Sequence, residues 1–510
     1  MSLAFYLDKG ASLGPDAPCL TFHGESRSYR EVVELSHSVA NALRHSGVRP
    51  GDKVGILSAN HPTSFTCVFG IARAGAVWCP INPRNGAAEN AELIDRFDCT
   101  TLIYQPSFDS LIAEIAPTLP SLVNLIRLGE SNGIAVGFDE WIAQAHAADP
   151  IDDEPPDDVV ALVGTGGTTG RPKGVMLTSL NVQTMSSVVL MRYPFTGRPR
   201  YLALAPLTHA AGVLCFPILA LGGEIVVMDQ ADVGEFLELI AQHRITHTFL
   251  PPTLIYMTLA QPSLDATDLS SLQCFWYGAA PISADRLAEA LDRIGPMGQL
   301  FGQSEAPMMI STLAPADHRS PDGSIDHTRL TSAGKPSPLV TVAILDDKGV
   351  AVPDGERGEV CVRGPLVMKG YYNNPEATAE ASEFGWHHTG DIGFLDEEGY
   401  LYIVDRAKDM IISGGFNVYS AEVEQALMAH DAVRDCAVVG LPDDKWGERV
   451  TAVITTADGT DLDTDEVIRF VKERIGSVKA PKQIEIWQDL PRSTVGKILK
   501  PSIRTTLTAH

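Results

Sequence analysis

The sequence has little positive charge and no long hydrophobic run. Its 510 residues include 39 lysines and arginines but 64 aspartates and glutamates, which gives a formal net charge of −25 at pH 7. A protein of this charge repels phosphate groups and anionic membrane surfaces, so neither nucleic acid nor a membrane surface is expected as a partner. The longest apolar stretch, residues 210–223, contains Pro217 and is too short to span a bilayer. We therefore expect no transmembrane segment.

Paired cysteines and a secretion signal are also missing. Eight cysteines are scattered along the chain without a C-x-x-C spacing, and several lie in apolar runs. This distribution is typical of reduced, buried thiols. The amino terminus has neither a basic segment nor a sustained apolar one. The sequence predicts a soluble, cytoplasmic protein and leaves open whether it is a homodimer.

Strand and helix patterns alternate through the first two thirds of the chain. Apolar residues recur at helical spacing over 32–43, and short apolar runs at 54–57, 76–80 and 202–205 are typical of buried strands. Alternation of this kind predicts an α/β fold in which parallel or mixed sheets are covered by helices.

The pattern then changes. Short strands at 341–345 and 358–362 are separated by Asp, Gly and Pro turns, which indicates a small antiparallel subdomain. Further along, predicted strands and helices form a compact α+β unit. We predict a large domain, 1–405, followed by a small carboxy-terminal domain, 406–510.

A run of small and hydroxyl residues closed by a lysine is the strongest local signal. Residues 165–174 read TGGTTGRPKG. Glycines let backbone N–H groups approach a polyanion, threonines donate further hydrogen bonds, and Lys173 adds a positive charge. The run is not a Walker A loop, because Pro172 separates the lysine from Gly170. The run suits a nucleotide triphosphate site formed by Thr165, Gly166, Gly167, Thr168, Thr169 and Lys173, whereas a bare cluster of glycine and threonine is more often a solvated loop.

This run resembles the phosphate loop of the adenylate-forming superfamily, which includes acyl-CoA synthetases, luciferases and peptide-synthetase adenylation domains. Four further segments resemble that family in the same order: YGAAP at 277–281, FGQSE at 301–305, the pair at 386–391 and 405–409, and PRSTVGK at 491–497. The resemblance covers nearly the whole chain. It implies a ligase that uses ATP to convert a carboxylic acid to an acyl-AMP and then to a coenzyme A thioester.

The resemblance implies that two of these segments, 277–281 and 301–305, contact the adenine and the phosphates. By resemblance, Phe301 packs on the adenine, Ser304 hydrogen-bonds the α-phosphate, and Glu305 helps to hold Mg²⁺. A hard cation between phosphate oxygens offsets charge as pyrophosphate departs. Phe301 and Ser304 stand where the family usually has tyrosine and threonine, and they keep the aromatic face and the hydroxyl. The implied contacts of this region are Gly278, Ala279, Ala280, Phe301, Ser304 and Glu305.

The remaining segments imply contacts to the ribose, the reacting anions and coenzyme A. By resemblance, Asp391 accepts both ribose hydroxyls with help from Arg406, and Lys408 is the hinge on which the small domain rotates. Lys497 bridges the substrate carboxylate and the α-phosphate, which otherwise repel each other. The glycines implied along the thiol arm of coenzyme A are Gly414 and Gly415.

The acyl pocket leaves alternatives open. His209 lies in an apolar run where relatives carry an aromatic residue or histidine beside the carboxylate, so it is assigned to the reacting groups with Lys497 and Glu305. A small apolar lining suits a fatty acid or, alternatively, an aryl acid of the cinnamate or benzoate type. By resemblance, the pocket residues are His209, Tyr277, Gly278, Gly302, Ala306, Pro307 and Met308.

Other functions also stay open. The same motifs fit an acyl-AMP ligase that loads a carrier protein, and a luciferase-like oxygenase. A nucleotide sensor without catalysis would not need both Lys173 and Lys497. The adjacent His387 and His388 are not expected to form a metal site, because neighbouring strand residues face opposite sides.

Overall fold

The computed structural model describes residues 2–145, 152–155, 157–165, 172–207, 210–443, 445–456, 462–492 and 498–508. The strands are β1 Pro18–Phe22, β2 Glu25–Ser28, β3 Lys53–Leu57, β4 Val77–Ile81, β5 Cys99–Tyr104, β6 Asn124–Arg127, β7 Val136–Gly137, β8 Val159–Thr165, β9 Lys173–Thr178, β10 Arg200–Ala203, β11 Glu224–Val227, β12 His247–Leu250, β13 Cys274–Gly278, β14 Met297–Gln303, β15 Ala306–Leu313, β16 Lys335–Pro336, β17 Thr341–Leu345, β18 Gly358–Arg363, β19 Gly370–Tyr371, β20 His387–Leu395, β21 Leu401–Arg406, β22 Ile411–Ser413, β23 Phe416–Val418, β24 Val433–Asp443, β25 Gly447–Thr456 and β26 Gln483–Ile486. The helices are α1 Ala4–Leu13, α2 Tyr29–His45, α3 Pro62–Arg73, α4 Ala87–Arg96, α5 Asp109–Ile115, α6 Phe138–Gln144, α7 Ser179–Arg192, α8 Ala210–Ala220, α9 Val233–His243, α10 Pro252–Leu259, α11 Ala284–Arg293, α12 Pro375–Glu380, α13 Ser420–Met428, α14 Thr464–Ile475 and α15 Lys500–Thr508.

Two large sheets form the core of the chain. One has nine strands in the order β16-β15-β14-β13-β12-β10-β11-β1-β2, and the other has eight in the order β19-β9-β8-β4-β3-β5-β6-β7. Inner neighbours such as β3 and β4 or β12 and β13 are parallel, whereas pairs nearer the edges, such as β14 and β15 or β8 and β9, are antiparallel. Every residue of β4 and of β11 is buried, as expected for strands covered on both faces. The predicted α/β fold with helix-covered mixed sheets is confirmed.

Helices α2 and α3 show how the layers are held together. Helix α2 begins with a capping box, in which Ser28 and Glu31 satisfy each other's backbone N–H groups. Every residue of α3 is buried. A Cβ added at Gly70 of α3 would lie 2.3 Å from a methyl carbon of Val39, so only glycine allows the two helices to approach this closely.

The smaller units also agree with the sequence. Strands β17, β18, β20 and β21 form a four-stranded antiparallel sheet, which is the predicted subdomain. Beyond it, β22 to β26 form a five-stranded sheet packed with α13, α14 and α15, which is the predicted α+β unit. Strands β24 and β25 are the longest of this unit, with 11 and 10 residues, and they pair antiparallel. The domain boundary at 405/406 and its mobility stay predictions.

The structure also shows whether any helix could span a membrane and where the cysteines lie. None of the helices in the described ranges has both the length and the apolar character needed to cross a membrane. All eight cysteines are buried.

Candidate active site

The hairpin of β8 and β9 carries the run rich in glycine and threonine. Thr165 ends β8, Lys173 begins β9, and the two residues are paired across the hairpin. A Cβ added at Gly174 would lie 2.8 Å from the Phe97 ring, so the base of the hairpin packs tightly on the end of α4. The predicted ligands that lie outside the described residues are Gly166, Gly167, Thr168 and Thr169.

A tyrosine joins Lys173 to Glu305. Tyr371 lies in β19, which pairs antiparallel with β9. Its hydroxyl donates to Glu305 Oε1 over 2.8 Å, and Lys173 Nζ lies 4.7 Å from the centroid of its ring. Burial and the nearby Glu305 carboxylate raise the pKa of the Tyr371 hydroxyl, which therefore stays protonated and donates. The hairpin of β8 and β9, called the phosphate hairpin below for its predicted role, is thus connected to the predicted magnesium ligand Glu305.

The turn between β14 and β15 carries the second predicted segment. Phe301, Ser304 and Glu305 are half-buried there. A Cβ at Gly302 would lie 2.5 Å from the backbone nitrogen of Met308, whose own φ is +59°. The close approach of these two backbone segments therefore requires glycine at position 302. The predicted pocket residues buried in β15 beside it are Ala306 and Pro307.

The end of β13 offers the predicted surface for a flat base. Gly278 is buried, and a Cβ there would lie 2.4 Å from the Leu300 carbonyl oxygen of β14. Ala279 has a φ of +68°, and both Ala279 and Ala280 are exposed. Small exposed side chains on a fixed backbone leave room for an aromatic ring to lie against them.

The side chain of Tyr277 belongs to the core. It is fully buried, and its hydroxyl lies 2.9 Å from His318 Nε2. His318 Nδ1 lies 3.0 Å from the Ala314 carbonyl oxygen and must donate to it, so Nε2 accepts from the tyrosine. Burial lowers the pKa of His318 to about 4, which keeps the ring neutral. The role of Tyr277 in the acyl pocket stays a prediction that its backbone, rather than its ring, would have to fulfil.

The predicted ribose residues form a cross-strand pair. Asp391 of β20 and Arg406 of β21 are direct neighbours, and Arg406 Nε lies 2.7 Å from Asp391 Oδ1. Asp391 is only 5% exposed. The Thr389 carbonyl oxygen accepts from Arg406 Nη1 at 3.3 Å and from Gln303 Nε2 at 3.5 Å. The predicted ribose residues are therefore connected, through the Thr389 carbonyl, to the turn that carries Ser304 and Glu305.

Comparison with known proteins decides the family. Residues 7–372 match the family described as AMP-binding enzyme, and residues 422–497 match the AMP-binding enzyme C-terminal domain. The chain belongs to the AMP-binding enzyme family. Its membership of the adenylate-forming superfamily, predicted from five segments, is confirmed.

Relatives of this AMP-binding enzyme align along nearly its whole length. The medium/long-chain-fatty-acid–CoA ligase FadD8 of Mycobacterium tuberculosis is 39% identical over 500 residues, which cover 95% of this chain and 86% of the relative. A feruloyl-CoA synthase of Amycolatopsis sp is 38% identical over 97% of this chain and 96% of the relative. The structure of the amide bond synthetase McbA of Marinactinospora thermotolerans superposes with a TM-score of 0.90 at 32% identity, covering 99% of this chain and all of that one.

In this AMP-binding enzyme the predicted coenzyme A glycines form a turn. Gly414 and Gly415, between β22 and β23, have φ values of +59° and +80°. Two successive residues in this region of backbone space strongly favour glycine. A Cβ at Gly414 would lie 3.1 Å from the Trp446 ring, whereas one at Gly415 would meet nothing within 4 Å. Gly415 therefore leaves open space beside the turn, as its predicted role needs.

The predicted hinge lies directly after the ribose pair. Lys408 is in the short turn Ala407–Asp409 that follows β21. Burial lowers the pKa of Lys408, and its neighbours include the charges of Asp409 and Arg406. Asp405 anchors the other side of this junction, because its Oδ1 accepts from the Ser420 hydroxyl at the start of α13 over 3.0 Å. The hinge itself stays a prediction.

Two predicted reacting groups cannot be placed. Lys497 and His209 lie outside the described residues. The segment that contains Lys497 is bounded by an antiparallel bridge between Arg492 and Ile498. The match to the C-terminal domain extends to residue 497.

The sequence did not indicate a role for Glu359, which contacts the segment that precedes Asp391. Glu359 of β18 accepts from the Gly390 backbone N–H over 2.9 Å through one oxygen, and its other oxygen lies 2.8 Å from His388 Nδ1. His388 lies across from Cys361, at 3.5 Å, while His387 faces the opposite side and is 4% exposed. The register of β18 and β20 pairs Glu359 with Ile392, the residue after Asp391, and no local motif contains this signal.

One turn of this enzyme allows a direct test of its packing. Gly302→Ala is expected to cost about 1–3 kcal/mol of stability, because backbone atoms of Met308 and Ala306 would have to move. The midpoint of thermal unfolding measures this. Gly14→Ala is the control, since its Cβ would meet only Ala17 at an ordinary 3.4 Å. Equal midpoints for the two variants would contradict the tight turn.

Proposed function

We propose that this AMP-binding enzyme is an ATP-dependent carboxylate–CoA ligase that forms an acyl-AMP and then an acyl-CoA thioester. One observation carries the proposal: the charged residues assigned to the nucleotide are connected across three sheets. Lys173 is joined to Glu305 through Tyr371, and the turn at Glu305 is joined to Arg406 and Asp391 through the Thr389 carbonyl. The family and the relatives named as CoA-forming enzymes support it.

Each half-reaction assigns a task to residues of this chain. In the first, a carboxylate oxygen of the acid attacks the α-phosphorus of ATP, and pyrophosphate leaves with the electron pair of the broken bond. We assign Lys497 to align these two anions, with Ser304 at the α-phosphate and Asp391 at the ribose. In the second, the coenzyme A thiolate attacks the acyl carbon and AMP leaves, so no protein nucleophile is required.

The chain also offers a fitting ligand for magnesium. Glu305 is half-buried, one of its oxygens accepts from Tyr371, and the other makes no hydrogen bond to any residue in the described ranges. A hard carboxylate oxygen held in this way suits Mg²⁺. When bound, the cation would supply charge neutralisation on the phosphate oxygens. We assign the site to Glu305.

For the acyl group we propose a fatty acid. The residues predicted to line the acyl pocket beside the turn are apolar: Gly302, Ala306, Pro307 and Met308. One relative is named for medium- and long-chain fatty acids. The aryl alternative is favoured by a feruloyl-CoA synthase that is nearly as similar. The burial of all eight cysteines, together with the lack of any C-x-x-C spacing, supports a reducing compartment such as the cytoplasm.

A panel of acids distinguishes these proposals. Pyrophosphate release is measured with medium- and long-chain fatty acids, with ferulate and with benzoate, each with and without coenzyme A. We expect release to require an acid, to be fastest with a fatty acid, and to yield an acyl-CoA. A preference for ferulate would establish the aryl alternative. Product formed only with an amine or a carrier protein would overturn the coenzyme A assignment.

A further inference from the structure

The segment that bears Tyr371 ties the two halves of the nucleotide site together. Lys369 N–H and Tyr372 N–H donate to the carbonyl oxygens of Met176 and Gly174 in β9, over 3.0 and 2.8 Å. Met368 N–H donates to the Glu305 carbonyl oxygen over 2.7 Å. This short stretch therefore touches both the phosphate hairpin, in the eight-stranded sheet, and the β14–β15 turn, in the nine-stranded sheet.

Tyr371 contacts both charged residues of the proposed nucleotide site: its hydroxyl contacts Glu305, and its ring contacts Lys173. Its side chain is 8% exposed and packs in the core, which leaves the ring little freedom. The hydroxyl provides the one hydrogen bond that the described residues make to the Glu305 carboxylate. The ring face lies under the Lys173 ammonium. A cation over an aromatic face is attracted by the ring quadrupole, most strongly where water is excluded.

We propose that Tyr371 is a positioning residue, whose hydroxyl fixes the Glu305 carboxylate and whose ring orients Lys173 before the nucleotide binds. The inference rests on the proposed function for the identity of the nucleotide and for the assignment of the metal to Glu305. Without the hydroxyl, the Glu305 carboxylate can rotate, and ordering it again costs binding energy. Without the ring, the Lys173 ammonium also loses the cation–π contact that orients it toward the phosphates.

The chain contains a matched control next door. Tyr372 donates through its hydroxyl to Asp98 Oδ2, also over 2.8 Å, and Lys53 Nζ lies 5.0 Å from its ring centroid. Its surroundings thus repeat the carboxylate and the ammonium, but neither belongs to the proposed nucleotide site. Tyr372→Phe therefore removes the same type of hydrogen bond without the proposed consequence.

The test measures metal and nucleotide binding rather than turnover. Mn²⁺ is titrated into the enzyme with α,β-methylene-ATP, whose α–β linkage cannot be broken to donate an adenylyl group, and bound Mn²⁺ is followed by electron paramagnetic resonance. The analogue is titrated separately without metal by calorimetry. Tyr371→Phe is expected to weaken Mn²⁺ binding about tenfold, the effect of one lost hydrogen bond to a charged group, and to leave metal-free binding unchanged. Tyr371→Leu is expected to weaken metal-free binding as well, by about threefold.

The outcomes separate this inference from the proposed function. Wild-type Mn²⁺ affinity in Tyr371→Phe, or an equal loss in Tyr372→Phe, would overturn the positioning role. A parallel loss of metal-free binding in Tyr371→Phe would overturn it too, because the hydroxyl would then act on the fold. If Tyr371→Leu does not fold, the phenylalanine variant alone decides. An enzyme that binds the metal–nucleotide pair but makes no acyl-CoA would refute the proposed function and leave Tyr371 in its role.

Discussion

Lys497→Ala is expected to slow acyl-AMP formation about 10²–10³-fold, the usual effect of removing one aligned charge from a transition state. The substrate carboxylate and the α-phosphate are both anions, and the proposed role of Lys497 is to hold them together. The second half-reaction breaks the bond to AMP after the two anions have already been joined. Thioester formation from supplied acyl-AMP should therefore be nearly unchanged.

The two half-reactions can be measured separately in that variant. Exchange of labelled pyrophosphate into ATP reports the first step, and release of AMP from supplied acyl-AMP and coenzyme A reports the second. Lys472→Ala is the control, because Lys472 is exposed on α14 in the same small unit. An equal loss in both steps would show that Lys497 acts on folding or on domain placement instead.

Asp391→Ala is expected to weaken ATP binding about 10²-fold. The carboxylate is proposed to accept both ribose hydroxyls, and two charge-assisted hydrogen bonds of this kind contribute about 3 kcal/mol together. The Michaelis constant for the acid should stay close to the wild-type value. Calorimetry with ATP and initial rates over a range of acid concentrations measure the two effects.

The control for that variant is another aspartate held by an arginine. Asp109, at the start of α5, has its Oδ2 2.8 Å from Nη2 of Arg127 in β6, and neither residue is assigned to the proposed nucleotide site. Asp109→Ala removes a comparable ion pair and should leave ATP affinity unchanged. If both variants lose ATP affinity equally, or if Asp391→Ala loses none, the ribose assignment is wrong.

The sequence predicts the fold well because its signals are local. The short apolar runs at 54–57 and 76–80 indicate β3 and β4 within one residue of their observed bounds, and the helical spacing over 32–43 lies within α2. The motif segments likewise lie at strand ends and turns, at β8–β9, β14–β15 and β20–β21. In each of these places the backbone geometry depends on a few neighbouring residues.

Contacts between distant segments could not be predicted. Tyr371 and Glu305 are 66 residues apart, and no pattern in either segment refers to the other. The same holds for Glu359 and Gly390, which only the register of β18 and β20 brings together. Tyr277 was predicted at the acyl pocket because its motif suggested it. Strand alternation permits either face, and the structure turns its side chain to the core beside His318.

The central claim is that one nucleotide site joins the phosphate hairpin, the turn at Glu305 and the Asp391–Arg406 pair. A crystal structure of the enzyme with a non-hydrolysable acyl-AMP analogue tests this most directly. The claim predicts the ribose hydroxyls at the Asp391 carboxylate, the adenine against Ala279 and Ala280, and the phosphate mimic near Ser304. An adenylate bound elsewhere, with Asp391 still paired only to protein groups, would contradict it.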